Sequence, residues 1–189
     1  MIKREKSKRG MAMNEDAIND LIAWMKIIIL TAAIVLLSRQ FLFEPVAVHG
    51  QSMMPTFEED DKVILSKISS IDNFDMIVFV APDQKNYIKR VIGIPGDRVE
   101  MKDDQLYLNG EPIDEPYLEE NRQWAEANGY PQLTTDFGEF TVPGECYFVL
   151  GDNRLNSVDS RMIGFILEEA VIGEVKFRIS PIDHIGTVK

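Results

Sequence analysis

Ile27-Ile-Ile-Leu-Thr-Ala-Ala-Ile-Val-Leu-Leu37 is the longest apolar run in the chain, and its reading decides the organisation of everything else. Eleven residues are too few to cross a hydrocarbon layer of about 30 Å. Taken out to Leu21 and Phe43 the stretch has 23 residues, and at about 1.5 Å rise per residue a helix of that length does cross it. Lys26 and Arg39 then fall near the two ends, where long side chains snorkel, and Trp24, Phe41 and Phe43 fall at interface depth. Ahead of the run, Lys3, Arg4, Lys6, Lys8 and Arg9 stand against Glu5, a net +4. That flank keeps residues 1–20 in the cytoplasm and places residues 44–189 outside the cell, despite Arg39. Two rival readings are a cleaved secretory signal and a buried core helix. The first lacks a small-x-small exit site, since Ala32 and Ala33 lie too deep in the run. The expectation is a single-pass, uncleaved anchor helix over 21–43 in the cell membrane.

With its anchor, a chain of 189 residues leaves room for one domain, which can bury a core without disulfides or a structural metal. Apolar residues make up 45% and charged residues 27%, which excludes a polytopic membrane protein. The whole chain carries −11, so with +4 in the first ten residues the remaining 179 carry about −15. Such a body has no footprint for nucleic acid, which needs a basic patch. The single cysteine, Cys146, excludes an intrachain disulfide, and its flanks Gly-Glu-Cys-Tyr-Phe-Val-Leu read as a packed strand.

From Glu44 onward short apolar runs alternate with Gly, Pro, Asn and Asp. Strands are predicted at Pro45–His49, Lys62–Leu65, Asp75–Val80, Tyr87–Ile92, Arg98–Met101, Glu145–Leu150 and Glu174–Ile179. Leu106–Gly110 ends in an Asn-Gly turn signal and Phe140–Gly144 in a Pro-Gly one. Only Pro116–Asn128, with Leu118, Trp124 and Ala127, reads as a short helix. The domain over 44–189 is therefore mostly antiparallel β, with residues 102–141, acidic and looser, inserted in it.

Metal chemistry finds no support in HxxH, HExxH or CxxC spacing, and His49 and His184 stand alone. Three polar segments are less ordinary. In His49-Gly-Gln-Ser-Met-Met-Pro-Thr56 a strand runs into Gly50, which permits close backbone approach, and Ser52 is followed by two methionines expected at the surface as an adaptable apolar patch. In Tyr87-Ile-Lys-Arg-Val-Ile-Gly93, alternation puts Lys89 on one face with Tyr87 and Val91. A lysine there is costly when charged, so burial lowers its pKa and makes the amine available as a base near pH 8. The bland alternative is a lysine that snorkels from the sheet. Gly151-Asp-Asn-Arg-Leu-Asn-Ser-Val-Asp-Ser-Arg161 packs hydroxyls and charge pairs at a strand end, enough to cap turns or to brace a catalytic group.

These three blocks, in this order, closely resemble the signatures of bacterial type I signal peptidase, most of all its short, single-anchor Gram-positive forms. The resemblance covers the anchor and nearly the whole body: Gly50–Thr56, Tyr87-Ile-Lys-Arg-Val-Ile-Gly-Ile-Pro-Gly-Asp97, and Gly151–Arg161 with Gly164. It implies a mostly β catalytic core with a smaller inserted β region. It also implies Ser52 as nucleophile, Lys89 as general base and Ser157 as the hydroxyl that orients the amine. Asp159 would pair with Arg161 and Asp152 with Arg90, while Met53 would stand near the substrate groove. Some members carry a hydroxyl two residues before the nucleophile as an oxyanion donor; here that position is Gly50, which leaves the Ser52 backbone N–H. No cofactor or metal is implied. The implied substrates are preproteins with signal peptides of the Ala-x-Ala type, met at the membrane lipid and close to the secretion translocon. A catalytically inactive anchored β domain that binds exported chains is the alternative. A soluble Ser-Lys self-cleaving repressor would need a DNA-binding segment where residues 1–43 offer an anchor.

Overall fold

The computed structural model describes the backbone of residues 2–41 and 43–188, and side chains over 17–37 and 44–188. The side chains of the basic cluster from Lys3 to Arg9, and of Arg39, Phe41 and Phe43, lie outside the described residues. The chain divides into two units, Met1–Leu42 and Phe43–Lys189.

The first unit is a helix, α1, over Ile2–Phe41. Its segment Ala17–Leu37 is long and apolar enough to cross a membrane, and its described side chains are exposed within the unit. At 21 residues it spans about 31 Å. Among the described side chains the apolar span reaches Leu37, the helix itself continues to Phe41, and Phe43 already belongs to a strand. The polar N-terminal segment continues the same helix, because Lys, Arg, Glu, Met and Ala are good helix formers and no proline interrupts them.

The second unit is built on an eight-stranded sheet and a four-stranded one. The first comprises β1 (Phe43–Ala47), β2 (Lys62–Ser66), β3 (Met76–Val80) and β4 (Asn86–Gly93), then β9 (Cys146–Leu150), β10 (Ile166–Leu167), β11 (Val171–Ser180) and β12 (Gly186–Thr187). Its order is β1-β2-β11-β3-β4-β9-β10, with β12 on β11, and every pairing is antiparallel. The second holds β5 (Arg98–Lys102), β6 (Gln105–Leu108), β7 (Glu111–Ile113) and β8 (Phe137–Thr141) in the order β7-β6-β5-β8. The second sheet thus begins at Arg98, four residues before the compositional change at 102, and β5 alternates buried and exposed residues as a half-buried strand does. The strand placed at Phe140–Gly144 lies over Phe137–Thr141, with Pro143-Gly144 beyond its end.

β4 is central, and every residue from Ile88 to Gly93 is buried. Ile88 packs with Val48, Met53 and Phe57 in one cluster, while Ile92 joins Val99, Leu106 and Phe148 in the cluster shared with the second sheet. Phe140 meets Phe148 edge-on at 4.7 Å between ring centres, locking β8 against β9. A 3-10 turn, Pro116–Leu118, leads into α2 (Glu119–Ala127). Leu118 and Ala125 face inward with Leu133, whereas Trp124, expected on the apolar face, is exposed and lies against Tyr130. Cys146 is a buried strand residue.

Candidate active site

Ser52 sits in the turn between β1 and β2. Gly50 precedes it at φ +87°, a left-handed conformation that favours glycine. The Phe57 N–H donates to Met53 O at 2.9 Å, and the Arg178 guanidinium donates to Thr56 O, so the turn is fixed at its far end. Met53 is 1% exposed and belongs to the core; it pins the turn from beneath instead of offering an apolar surface. This corrects the expectation of two surface methionines: Met53 packs beneath the turn with Val48, Phe57 and Ile88, and Met54 is half-buried.

Lys89 reaches the turn from β4. Its Nζ lies 2.6 Å from Ser52 Oγ and donates to Ile88 O at 2.8 Å. Only 2% of the residue is exposed. Burial removes water from the ammonium and lowers its pKa from 10.5 to about 8, against the opposing pull of the Asp159 and Asp152 carboxylates. The Tyr87 ring, on the same side of the strand, lies 5.1 Å from Nζ.

The third part is the loop after β9. β4 pairs with β9 so that Arg90 stands opposite Leu150, which delivers Gly151 and Asp152 beside Arg90. Arg90 donates through Nε and Nη2 to the two oxygens of Asp152 at 2.9 and 2.7 Å, and both side chains are fully buried. Arg161 likewise forks onto Asp159 through Nε and Nη2, each at 2.8 Å. Burial works to raise the Asp159 pKa, but the Arg161 charge and hydrogen bonds, with the Gly151 N–H, hold it below the usual carboxylate range. A Cβ on Gly151 would come within 2.2 Å of Ser157 Oγ and 2.5 Å of Ser52 O, so close approach of three segments requires glycine here.

Ser52, Lys89 and Ser157 line one cleft of about 580 Å³, with Gly50, Tyr87 and Met162 among its walls. Ser157 Oγ is buried and makes no hydrogen bond of normal geometry to any described residue, although it stands near enough to Asp159 to favour that carboxylate's ionised form. Four contributors carry no signal in the sequence that singles them out. Arg154, 3% exposed, donates to Gly151 O, Thr134 Oγ1 and the Glu115 carboxylate. Asn153 donates from its backbone to Ser52 O and from its amide to Gln51 O, both at 3.0 Å. Thr56 Oγ1 donates to Asp152, and Asn121 donates to Met54 O and Asp152 O. Thr56 ends the motif around Ser52, and Asn153 and Arg154 stand in the polar loop 151–161, but each has a partner far away in the chain. Among the described residues no cluster of His, Cys, Asp and Glu suits a metal ion.

An apolar anchoring helix joined to a β unit that holds a serine hydroxyl against a buried lysine amine defines the class, a membrane-bound serine endopeptidase. Residues 21–180 match the family described as "Signal peptidase, peptidase S26", and the chain belongs to the signal peptidase I family. It is 43% identical over 168 residues to signal peptidase I S of Bacillus subtilis (strain 168), covering 87% of this chain and 91% of that one. Identity is 46% over 173 residues to a signal peptidase I of Bacillus licheniformis, covering 88% and 92%. A crystal structure of a signal peptidase I from Enterococcus faecalis V583 is 39% identical, with a TM-score of 0.52 over 57% of this chain and 97% of that one.

Proposed function

We propose that this protein removes signal peptides from exported preproteins, with Ser52 as nucleophile and Lys89 as general base. The observation that carries the reading is the 2.6 Å approach of a buried amine, with its pKa lowered to about 8, to Ser52 Oγ. Neutral Lys89 takes the Ser52 proton as Oγ attacks the scissile carbonyl. The resulting oxyanion faces the Ser52 backbone N–H, and the lysine then gives the proton to the leaving amine. Water, deprotonated by the same amine, releases the acyl group and restores the hydroxyl. Ser157 orients the amine from across the cleft. Asp152 with Arg90, and Asp159 with Arg161, hold the surrounding loop.

A second hollow of about 270 Å³ adjoins the cleft and shares His49, Asn86, Tyr87 and Ile88 with it. Neighbouring hollows suit an extended chain, whose alternate side chains point the same way, and with the family resemblance this supports an Ala-x-Ala cleavage site. The +4 flank before the apolar part of α1 supports a cytoplasmic N-terminus and an extracellular catalytic unit. Anchoring then holds the site at the membrane, near the translocon from which substrates emerge, and raises its effective concentration toward tethered chains. The 1–20, 21–43 and 44–189 division is the functional one, although the helix and first strand meet its boundaries only approximately.

The test is cleavage of a purified preprotein by the wild-type chain and by Ser52→Ala and Lys89→Ala. Both variants should fold and neither should cleave; more than a few per cent of wild-type turnover in either refutes its role.

A further inference from the structure

Two chain segments remote in sequence must meet at the cleft: the turn around Ser52 and the loop that starts at Gly151. Asn153 and Thr56 tie one directly to the other. Asn121 does something different, because it comes from α2 in the insertion. Its Nδ2 donates to Met54 O at 2.9 Å and to Asp152 O at 2.8 Å, one hydrogen bond for each segment. Two carbonyl acceptors require both hydrogens of an amide nitrogen, so no carboxylate replaces it.

The helix that carries Asn121 is itself braced. Glu115, just ahead of it and 1% exposed, is paired with Arg154, and the Tyr117 ring lies 3.9 Å from the Arg90 guanidinium. Leu118 and Ala125 are buried against Leu133. Asn121 is thus a fixed point to which both segments are referred. It is half-buried and is not a wall of the cleft, so any influence on the reaction passes through the two carbonyls.

We propose that Asn121 is a positioning residue for the hydrolysis, its amide bridging the Ser52 turn to the Asp152 loop and setting the Ser52–Lys89 approach. The proposal rests on the nucleophile and base roles of Ser52 and Lys89. Catalytic groups must be held within about 0.5 Å, and a misplacement of about 1 Å costs up to about 100-fold in rate.

The experiment uses the full chain in detergent with a preprotein substrate, and reads kcat, KM and the thermal midpoint for Asn121→Ala, Asn121→Asp, Gln123→Ala and Ser52→Ala. Asn121→Ala should lower kcat about tenfold with KM within about twofold, and move the midpoint by less than about 3 °C, since water can reach the released carbonyls. Asn121→Asp should be slower still at pH 8, with a carboxylate facing two carbonyl oxygens. Gln123, exposed on the same helix and bonded to Glu119, should leave kcat unchanged when replaced by Ala. A fall in the midpoint with wild-type kcat would make Asn121 structural and overturn the proposal, as would an Asp variant as fast as the Ala variant. Residual cleavage by Ser52→Ala would refute the site assignment instead, so the two failures are distinguishable.

Discussion

The strand that supplies Lys89 and the loop that faces it solve opposite electrostatic problems. On β4 a cation is buried with no carboxylate in hydrogen-bond contact, and its ammonium is destabilised. In the loop two carboxylates are buried as deeply, but each is forked by an arginine. Had Asp152 or Asp159 paired with Lys89, the amine would be held protonated and useless as a base. The arginines, which stay charged, take up the carboxylates' hydrogen bonds, so the carboxylates act on the lysine only through space. In the proposed mechanism the base is thus made by two devices at once: removal of water around the amine, and engagement of the nearby anions elsewhere.

The strongest way to break this contrast is to make the cation at position 89 permanent. Lys89→Arg keeps a positive group but cannot deprotonate, so kcat/KM should fall by about 10⁴-fold or more. In the wild type, kcat/KM should rise with pH through a limb near 8, where the buried amine becomes neutral. Measurement across pH 5 to 10 checks both. Substantial activity in the arginine variant, over an unchanged limb, would remove Lys89 from the mechanism.

Breaking the other side of the contrast should cost stability. Asp152→Ala leaves the Arg90 guanidinium buried without its carboxylate, a loss of about 3–5 kcal/mol, read as a drop in the denaturation midpoint. Lys89 itself behaves in the reverse sense. Its folded pKa of about 8 lies below the unfolded value of about 10.4. Above the unfolded pKa both states are neutral and folding is unaffected; as pH falls through the two values a penalty accrues, complete below about 8. Lys89→Met should therefore be inactive yet melt higher than wild type at pH 6, by up to about 3 kcal/mol. A methionine variant less stable than wild type at that pH would mean the amine's two hydrogen bonds outweigh its desolvation.

The parts of this arrangement differ in how readily the residues disclose them. The anchor follows from local composition, and the strands from alternation between turn formers, because each is dictated by neighbours in the chain. The candidacy of Ser52 and Lys89 is legible through the motifs around them, and the structure brings the two side chains together. The expectation of an exposed Met53 fails because a turn has no fixed side-chain period, so exposure there depends on what packs beneath. Arg154 with Glu115, and Asn121 with Met54, are invisible in the sequence: their partners are separated by 39 and 67 residues, and only the docking of the second sheet brings them together. Helix α2 is legible, but its inward face is not, since Trp124 carries more apolar surface than Ala125 and still points to solvent.

The smallest expected effect falls on the residue that stands between the two electrostatic regimes. Ser157 Oγ is buried in the cleft wall without a hydrogen bond of normal geometry among the described residues, yet it stands near enough to Asp159 to favour that carboxylate's ionised form. Gly151 has no side chain to displace it. A hydroxyl kept for folding alone should cost stability when removed, whereas one kept to steer the lysine amine should be missed in turnover. Ser157→Ala should therefore melt within about 3 °C of wild type while losing about tenfold in kcat, with the acidic limb still near pH 8 because Lys89 is intact. Calorimetry and a pH–rate series on the same preparation separate the two quantities. A variant that loses stability without losing turnover would place Ser157 among the structural hydroxyls and leave the amine steered by Ser52 Oγ and Ile88 O alone.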